Sequence, residues 1–134
     1  MDCINIKWEI VQVQVKKENQ IIPIDIKLPD EIDVCEGIYL SIPEKLNTLK
    51  SFISQAGELS LSFNAKQKHL LHFTAEYNKD LSDKKKSIKL NCQLENNKNI
   101  TGYYIDYANV KGENNRFLPY TLSIYFECKT IQKH

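Results

Sequence analysis

The sequence has little glycine, little proline and almost no arginine. Four glycines and four prolines are spread over 134 residues. No linker rich in these residues divides the chain, and its length is that of a single domain spanning residues 1–134. Arg116 is the only arginine, and the formal net charge is +1. Nucleic-acid binding usually relies on arginines that contact phosphate and on a strongly basic surface. This chain offers little of either, so we expect no nucleic acid among its partners.

Long hydrophobic runs are also missing. No apolar stretch approaches the roughly 20 residues of a membrane-spanning helix, and the first residues, MDCINIKWE, lack the basic and apolar regions of a signal peptide. We therefore predict a protein without a membrane span that is made in the cytoplasm without a signal peptide. Its four cysteines are far apart and form no C-x-x-C pair, so we expect free thiols in that reducing compartment.

Motifs for catalysis and cofactor binding are absent. The sequence contains no G-x-S-x-G, H-E-x-x-H, P-loop or G-x-G-x-x-G pattern, and we predict that the protein is not an enzyme and holds no cofactor. His69 and His72 are the best pair of metal ligands. On a strand, residues three apart face opposite sides, so we expect no metal site. The acidic loop over residues 30–36 lacks the ligand spacing of an EF-hand and is interpreted as a solvated connection.

Alternation of apolar and polar residues is what the sequence does contain. In the stretch YTLSIYFECKT, residues 120–130, Leu122, Ile124, Phe126 and Cys128 share one phase, and strand geometry places them on one face. Seven other stretches show the same period, so we predict eight strands. They cover residues 4–15, 21–28, 37–42, 58–64, 69–77, 87–95, 100–110 and 120–130.

Two details of the pattern carry further predictions. In the first strand, the apolar phase switches at Ile10 and Val11, which predicts a bulge or bend that aims the second half into another sheet. Residues 43–56 follow the third strand with apolar side chains at helical spacing. A capping box before them and Gly57 after them predict one short helix there.

This pattern predicts an all-β fold: a two-sheet antiparallel β-sandwich of about eight strands with one short helix after the third strand. Eight antiparallel strands in two sheets is the jelly-roll number, and we call the fold jelly-roll-like. An immunoglobulin-like Greek key and an up-and-down barrel stay open as alternatives. In architecture the pattern is similar to the small β-sandwich proteins that build or decorate virus particles.

An aromatic and apolar patch is the candidate interface. We predict that Tyr104 and Tyr125 lie on wet phases of the last two strands and that Arg116, Phe117 and Leu118 stand in the loop between them. If those strands pair as a hairpin, the five residues form one patch, and tyrosine, arginine and other aromatic residues are common interface anchors. The alternative is that Phe117 and Leu118 cover an open end of the sandwich.

The sequence thus favours a structural role. We expect a non-enzymatic assembly protein, most simply a minor capsid or decoration protein of a phage particle, which is made in the cytoplasm, located in the virion, and works as a homo-oligomer or with other virion proteins. The alternative is a small module that binds carbohydrate or peptide on a platform of Tyr104, Tyr125 and Phe117.

Overall fold

The computed structural model describes residues 3–42, 55–64, 67, 69–76, 88–108, 114 and 116–132. Eight strands lie in these ranges, and each corresponds to a predicted strand with ends shifted by a few residues. The strands are β1 (Cys3–Val15), β2 (Ile21–Lys27), β3 (Val34–Ser41), β4 (Gln55–Ser62), β5 (Leu71–Glu76), β6 (Ile88–Gln93), β7 (Asn99–Asp106) and β8 (Tyr120–Gln132).

The strands form two antiparallel four-stranded sheets, so the predicted β-sandwich is confirmed. Sheet A has the order β1-β8-β3-β6, and sheet B has the order β2-β7-β4-β5. The first strand therefore pairs with the last, the second with the seventh, the third with the sixth and the fourth with the fifth. This is the order of a long hairpin rolled up on itself, which is the jelly roll.

The core lies between the inner faces of the two sheets. From sheet A, β8 contributes Ile124 and Phe126, which are fully buried as the alternation predicts. Leu59 of β4 and Phe63 just after it are fully buried on the side of sheet B. The rings of Phe63 and Phe126 meet edge-on with centroids 6.4 Å apart, which is a favourable geometry for an aromatic pair.

Strand β1 differs from its prediction. It pairs with β8 along all 13 residues without a register shift, so the predicted bulge at Ile10 and Val11, and the bend into a second sheet, are wrong. Ile6, Trp8 and Ile10 face outward and need no bulge to aim them inward. A register shift occurs instead in β3, between Cys35 and Gly37.

The predicted helix over residues 43–56 falls mainly on residues 43–54, which lie outside the described residues, and its last two residues belong to β4. Gly57, predicted as the end of that helix, is a buried residue within β4. A Cβ atom at this position would lie 2.2 Å from Tyr104 Oη and 2.4 Å from the carbonyl oxygen of Ile105. Glycine is therefore needed because the ring of Tyr104 packs directly on the β4 backbone.

A buried carboxylate closes one end of the sandwich. Asp106, only 1% exposed, accepts hydrogen bonds at Oδ2 from the backbone N–H groups of Asn19 (2.9 Å) and Ala108 (2.8 Å). At Oδ1 it accepts one from Tyr120 Oη at 2.6 Å, and the Tyr120 and Tyr104 hydroxyls are 2.8 Å apart. These bonds tie the β1–β2 turn, the end of β7 and the start of β8 together, because a buried carboxylate needs such partners.

Candidate interaction surface

Three large apolar side chains stand on the outer face of sheet A, away from the core. Ile6, Trp8 and Ile10 of β1 are 65%, 48% and 56% exposed. They share one phase of a straight strand, so they form a row along it, which we call the apolar stripe. A contiguous patch of exposed apolar surface on a folded domain often marks an interaction site.

The opposite face of the same stretch is charged. Lys7 and Glu9 pair in register with the inward-facing Cys128 and Phe126 of β8, so their side chains point to the inner side of the sheet. Lys7 Nζ lies 3.4 Å from Glu9 Oε1 and 3.2 Å from Glu31 Oε1 of the β2–β3 connection. The first half of β1 therefore carries its charges inward and its apolar residues outward, which is the reverse of an ordinary sandwich strand.

The charges on this inner side are mutually satisfied. The hydrogen bond to Glu31, and to a smaller extent the one to Glu9, raises the pKa of Lys7. A backbone hydrogen bond, followed by the bond from Lys7, lowers the pKa of Glu31. The charged forms of Lys7 and Glu31 are thus favoured, and their ion pair links β1 to the neighbouring loop while the stripe faces outward.

A pair of tyrosines extends the apolar surface across sheet A. Ile10 pairs in register with Tyr125 of β8, and Tyr125 pairs with Tyr39 of β3. The two tyrosine rings pack with centroids 5.7 Å apart at an interplanar angle of 54°, and both residues are half-buried. One row of apolar and aromatic side chains therefore runs across three strands and meets the stripe at Ile10.

The stripe also borders an edge of the sheet. Strand β1 is the first in the order of sheet A, and among the described strands it pairs with β8 alone. The backbone groups on its other side therefore find no strand partner in the described part of the chain. An edge of this kind is a template for an added strand.

Tyr125 is the predicted interface residue that lies next to this surface. Tyr104 does not, and its predicted position on a wet phase is wrong, because it is fully buried. The inward phase of β7 carries Tyr104 and Asp106, whereas Tyr103 is only half-buried. Moreover, β7 and β8 belong to different sheets, so the hairpin that would have joined Tyr104 and Tyr125 in one patch does not form.

Two of the predicted loop residues pack against the core near the start of β8 and not along the stripe. Phe117 and Leu118 are half-buried and pack against the core, with the Phe117 ring centroid 6.2 Å from that of Tyr120. Arg116 is exposed. The alternative in which Phe117 covers an end of the sandwich agrees with these contacts, and the interface role of the three residues stays a prediction.

One side-chain cluster resembles a catalytic arrangement in composition but not in geometry. On β4 and β5, Ser60 Oγ is 2.8 Å from His72 Nδ1, and Glu58 Oε1 is 3.0 Å from the same nitrogen. A Ser-His-carboxylate triad uses both ring nitrogens, one for each partner. Ser60 is also only 2% exposed, so a substrate does not reach its hydroxyl. The cluster, joined by a hydrogen bond from Tyr107 to Glu58, is a polar link between strands.

Three cysteines of sheet A are free thiols aligned across neighbouring strands. Cys35 of β3 pairs in register with Cys128 of β8 on one side and with Cys92 of β6 on the other. A hydrogen bond to Cys128, together with burial, raises the pKa of Cys35, and burial raises the pKa of Cys92. The hydrogen bond with Cys35 lowers the pKa of Cys128. Cys35 and Cys128 are nevertheless both fully buried, so these two thiols pack as part of the core.

The surface of the described residues has depressions that are open and shallow. Two open depressions of ≈ 680 and ≈ 510 Å³ share Asn64 and Gln93, and their mixed, shallow lining differs from the enclosed apolar pocket that a small molecule needs. Within residues that the structure describes, no three His, Cys, Asp or Glu side chains are grouped to hold a metal ion. The same ranges contain no helix that is long and apolar enough to cross a membrane.

Comparisons with protein-family models, with curated proteins and with solved structures find no match for this chain.

Proposed function

We propose that this protein is a non-enzymatic assembly subunit that works as an oligomer and uses the apolar stripe on β1 as its interface to another protein subunit. The observation that supports the proposal is the inverted polarity of β1: Ile6, Trp8 and Ile10 face outward while Lys7 and Glu9 face inward. Burying exposed apolar surface is the main favourable term in protein association. A partner that covers the stripe removes this surface from water.

The setting of the proposed assembly is the phage particle, in which the subunit is a minor capsid or decoration protein. Its support is the fold class, since jelly rolls include many viral capsid domains. This support is an analogy at the level of the fold, whereas the interface itself is supported by the exposed side chains of β1.

The test compares two double variants with matched exposure. Ile6→Thr with Ile10→Thr removes most of the stripe, whereas Ile21→Thr with Ile88→Thr changes two isoleucines of β2 and β6 that are 64% and 51% exposed. Threonine keeps the β-branched shape that suits a strand. Sedimentation equilibrium over a wide concentration range should show an oligomeric wild type and control and a monomeric stripe variant.

Trp8 provides an internal reporter for the same experiment. It is the only tryptophan in the chain and lies at the centre of the stripe. Its fluorescence should shift to longer wavelength on dilution, as the oligomer dissociates and the indole becomes wet. A wild type that is monomeric at every concentration, or an oligomer that survives the stripe substitutions, would contradict the proposal.

The second candidate is a carbohydrate-binding module, and jelly rolls also include lectin domains. The platform of Tyr104, Tyr125 and Phe117 is not assembled, but Trp8 is 48% exposed and near Tyr125. An aromatic face of this kind can stack on a sugar ring. A glycan that shifts Trp8 fluorescence in a strictly monomeric protein would favour this candidate over assembly.

A further inference from the structure

We propose that the partner of the apolar stripe is a second copy of this chain, joined by antiparallel pairing of the two β1 edges with Trp8 opposite Trp8. The two copies of sheet A then form one continuous eight-stranded sheet around a two-fold axis perpendicular to it. This inference rests on the proposed function, because it names the partner of the same interface.

The β1 edge is the one of the four sheet edges in the described strands that is built for strand addition. It is 13 residues long and pairs with β8 without a register shift. The other three edge strands are protected in the usual ways. Strands β5 and β6 have only six residues each, and β2 has seven with Pro23 among them. Because proline lacks the ladder N–H, it blocks pairing at that point.

The charges of β1 are self-complementary in one register. With Trp8 opposite Trp8, Lys7 of one copy faces Glu9 of the other, and Ile6 faces Ile10. Since Lys7 and Glu9 also pair within one chain at 3.4 Å, the two copies together form a square of alternating charges on the inner side. Opposite charges directly across strands are favourable, and like charges are unfavourable.

Neighbouring registers lack this complementarity. An axis perpendicular to the sheet keeps the outer faces of both copies on one side, so each symmetric register is centred on a residue. Centring on Lys7 places two lysines opposite each other, and centring on Glu9 places two glutamates opposite each other. The register centred on Trp8 is therefore the one of these three that pairs opposite charges.

The same register also covers the stripe laterally. On the β8 side, Ile6, Trp8 and Ile10 have Lys129, Glu127 and Tyr125 as cross-strand neighbours. On the edge side, the second copy supplies Ile10, Trp8 and Ile6 in that order. Each apolar side chain of the stripe then gains an apolar cross-strand neighbour at about 4.5–5.5 Å between Cβ atoms.

Engineered cysteines test the register directly, in a background of Cys3→Ser and Cys92→Ser that removes the cysteine of β1 and the half-buried one of β6. Trp8→Cys should form a disulfide-linked dimer on mild oxidation, because Cα atoms directly opposite are within disulfide reach. Ile6→Cys alone should not, since its own copies are four residues apart along the strand, roughly 13 Å. A mixture of Ile6→Cys and Ile10→Cys chains should cross-link as a heterodimer.

Charge exchange tests the same register without altering the stripe. Lys7→Glu and Glu9→Lys should each weaken self-association by about tenfold or more, because like charges then face each other twice in the dimer. An equimolar mixture of the two variants restores opposite charges at both positions. It should associate nearly as tightly as the wild type, with Trp8 fluorescence on dilution as the measurement.

The outcomes separate this inference from the proposed function. Two results would refute self-pairing in this register: Ile6→Cys chains that cross-link to each other, or a charge mixture that does not recover association. If the stripe variant is nevertheless monomeric, the stripe remains an interface. If the wild type does not associate, or the stripe substitutions leave its oligomer intact, the proposed function fails and the inference fails with it.

Discussion

Removing the hydroxyl of Tyr120 should destabilise the protein by about 2–3 kcal/mol, because this group donates to a buried carboxylate. Tyr120 Oη lies 2.6 Å from Asp106 Oδ1 and 2.8 Å from Tyr104 Oη. A hydrogen bond to a charged group contributes about 1.5–3 kcal/mol. Asp106 is 1% exposed, so water does not readily replace the lost donor, and the upper half of that range applies to Tyr120→Phe.

Urea unfolding followed by circular dichroism measures this change. The midpoint should fall with an unchanged m-value, and the melting temperature should fall by about 10 °C. The matched control is Tyr39→Phe on the outer face. Tyr39 packs on Tyr125, and its hydroxyl has no hydrogen bond within the described residues, so we expect a change within about 0.5 kcal/mol. If Tyr120→Phe is as mild as Tyr39→Phe, the carboxylate network does not hold this end of the sandwich.

Two further predictions concern alkaline stability and the core. Burial, and to a smaller extent the nearby Tyr104 hydroxyl, raises the pKa of Tyr120 in the folded protein. The contribution of this group to the free energy of unfolding is therefore complete below its pKa of about 10 in the unfolded chain. Above that pH the contribution is lost, by up to about 1.4 kcal/mol per pH unit. Unfolding free energies measured between pH 8 and 11 should fall less steeply in Tyr120→Phe than in the wild type, and equal slopes would contradict this assignment. Phe126→Ala should lower the free energy of unfolding, measured with urea, by about 3–5 kcal/mol. Tyr125→Ala should lower it much less, since Phe126 is fully buried and Tyr125 is half-buried. The reverse order would mean that the register of β8 is inverted.

The strands were predictable because most of them have one dry face. In β8, the alternation of Leu122, Ile124, Phe126 and Cys128 is unbroken, and all four are buried. A period of two needs only local geometry to be recognised. Strand order depends on contacts between residues far apart in sequence, so the pairing of β1 with β8 and the separation of β7 from β8 carried no local signal.

The candidate site was missed because sequence reasoning equates apolar with buried. Strand β1 has two apolar phases, one with Ile6, Trp8 and Ile10 and the other with Val13 and Val15. A straight strand can bury one of them, and the predicted bulge was the means of burying both. The signal that could have revealed the stripe is this double phase itself, interpreted with a continuous strand.

The assignment of Tyr104 failed for a related reason. The face of β7 that contains Tyr104 also contains Asp106. The opposite face therefore looked more apolar and was predicted to be the buried one. The carboxylate is nevertheless buried, because two backbone N–H groups and the Tyr120 hydroxyl satisfy it. A sequence does not reveal that three donors will converge on one buried acid.

Two exceptions to the apolar-inside rule, the buried Asp106 and the exposed stripe, differ in how they are compensated, and the difference favours assembly. Asp106 lies inside, and its hydrogen bonds within the chain offset the cost of burying it. Ile6, Trp8 and Ile10 lie outside, and in the described part of the chain no strand lies beside them at the β1 edge. Nothing within those residues offsets their exposure, so the compensation is to be sought in a second chain. A long edge strand without proline and with alternating Lys7 and Glu9 presents both the backbone groups and the charges that such a chain needs.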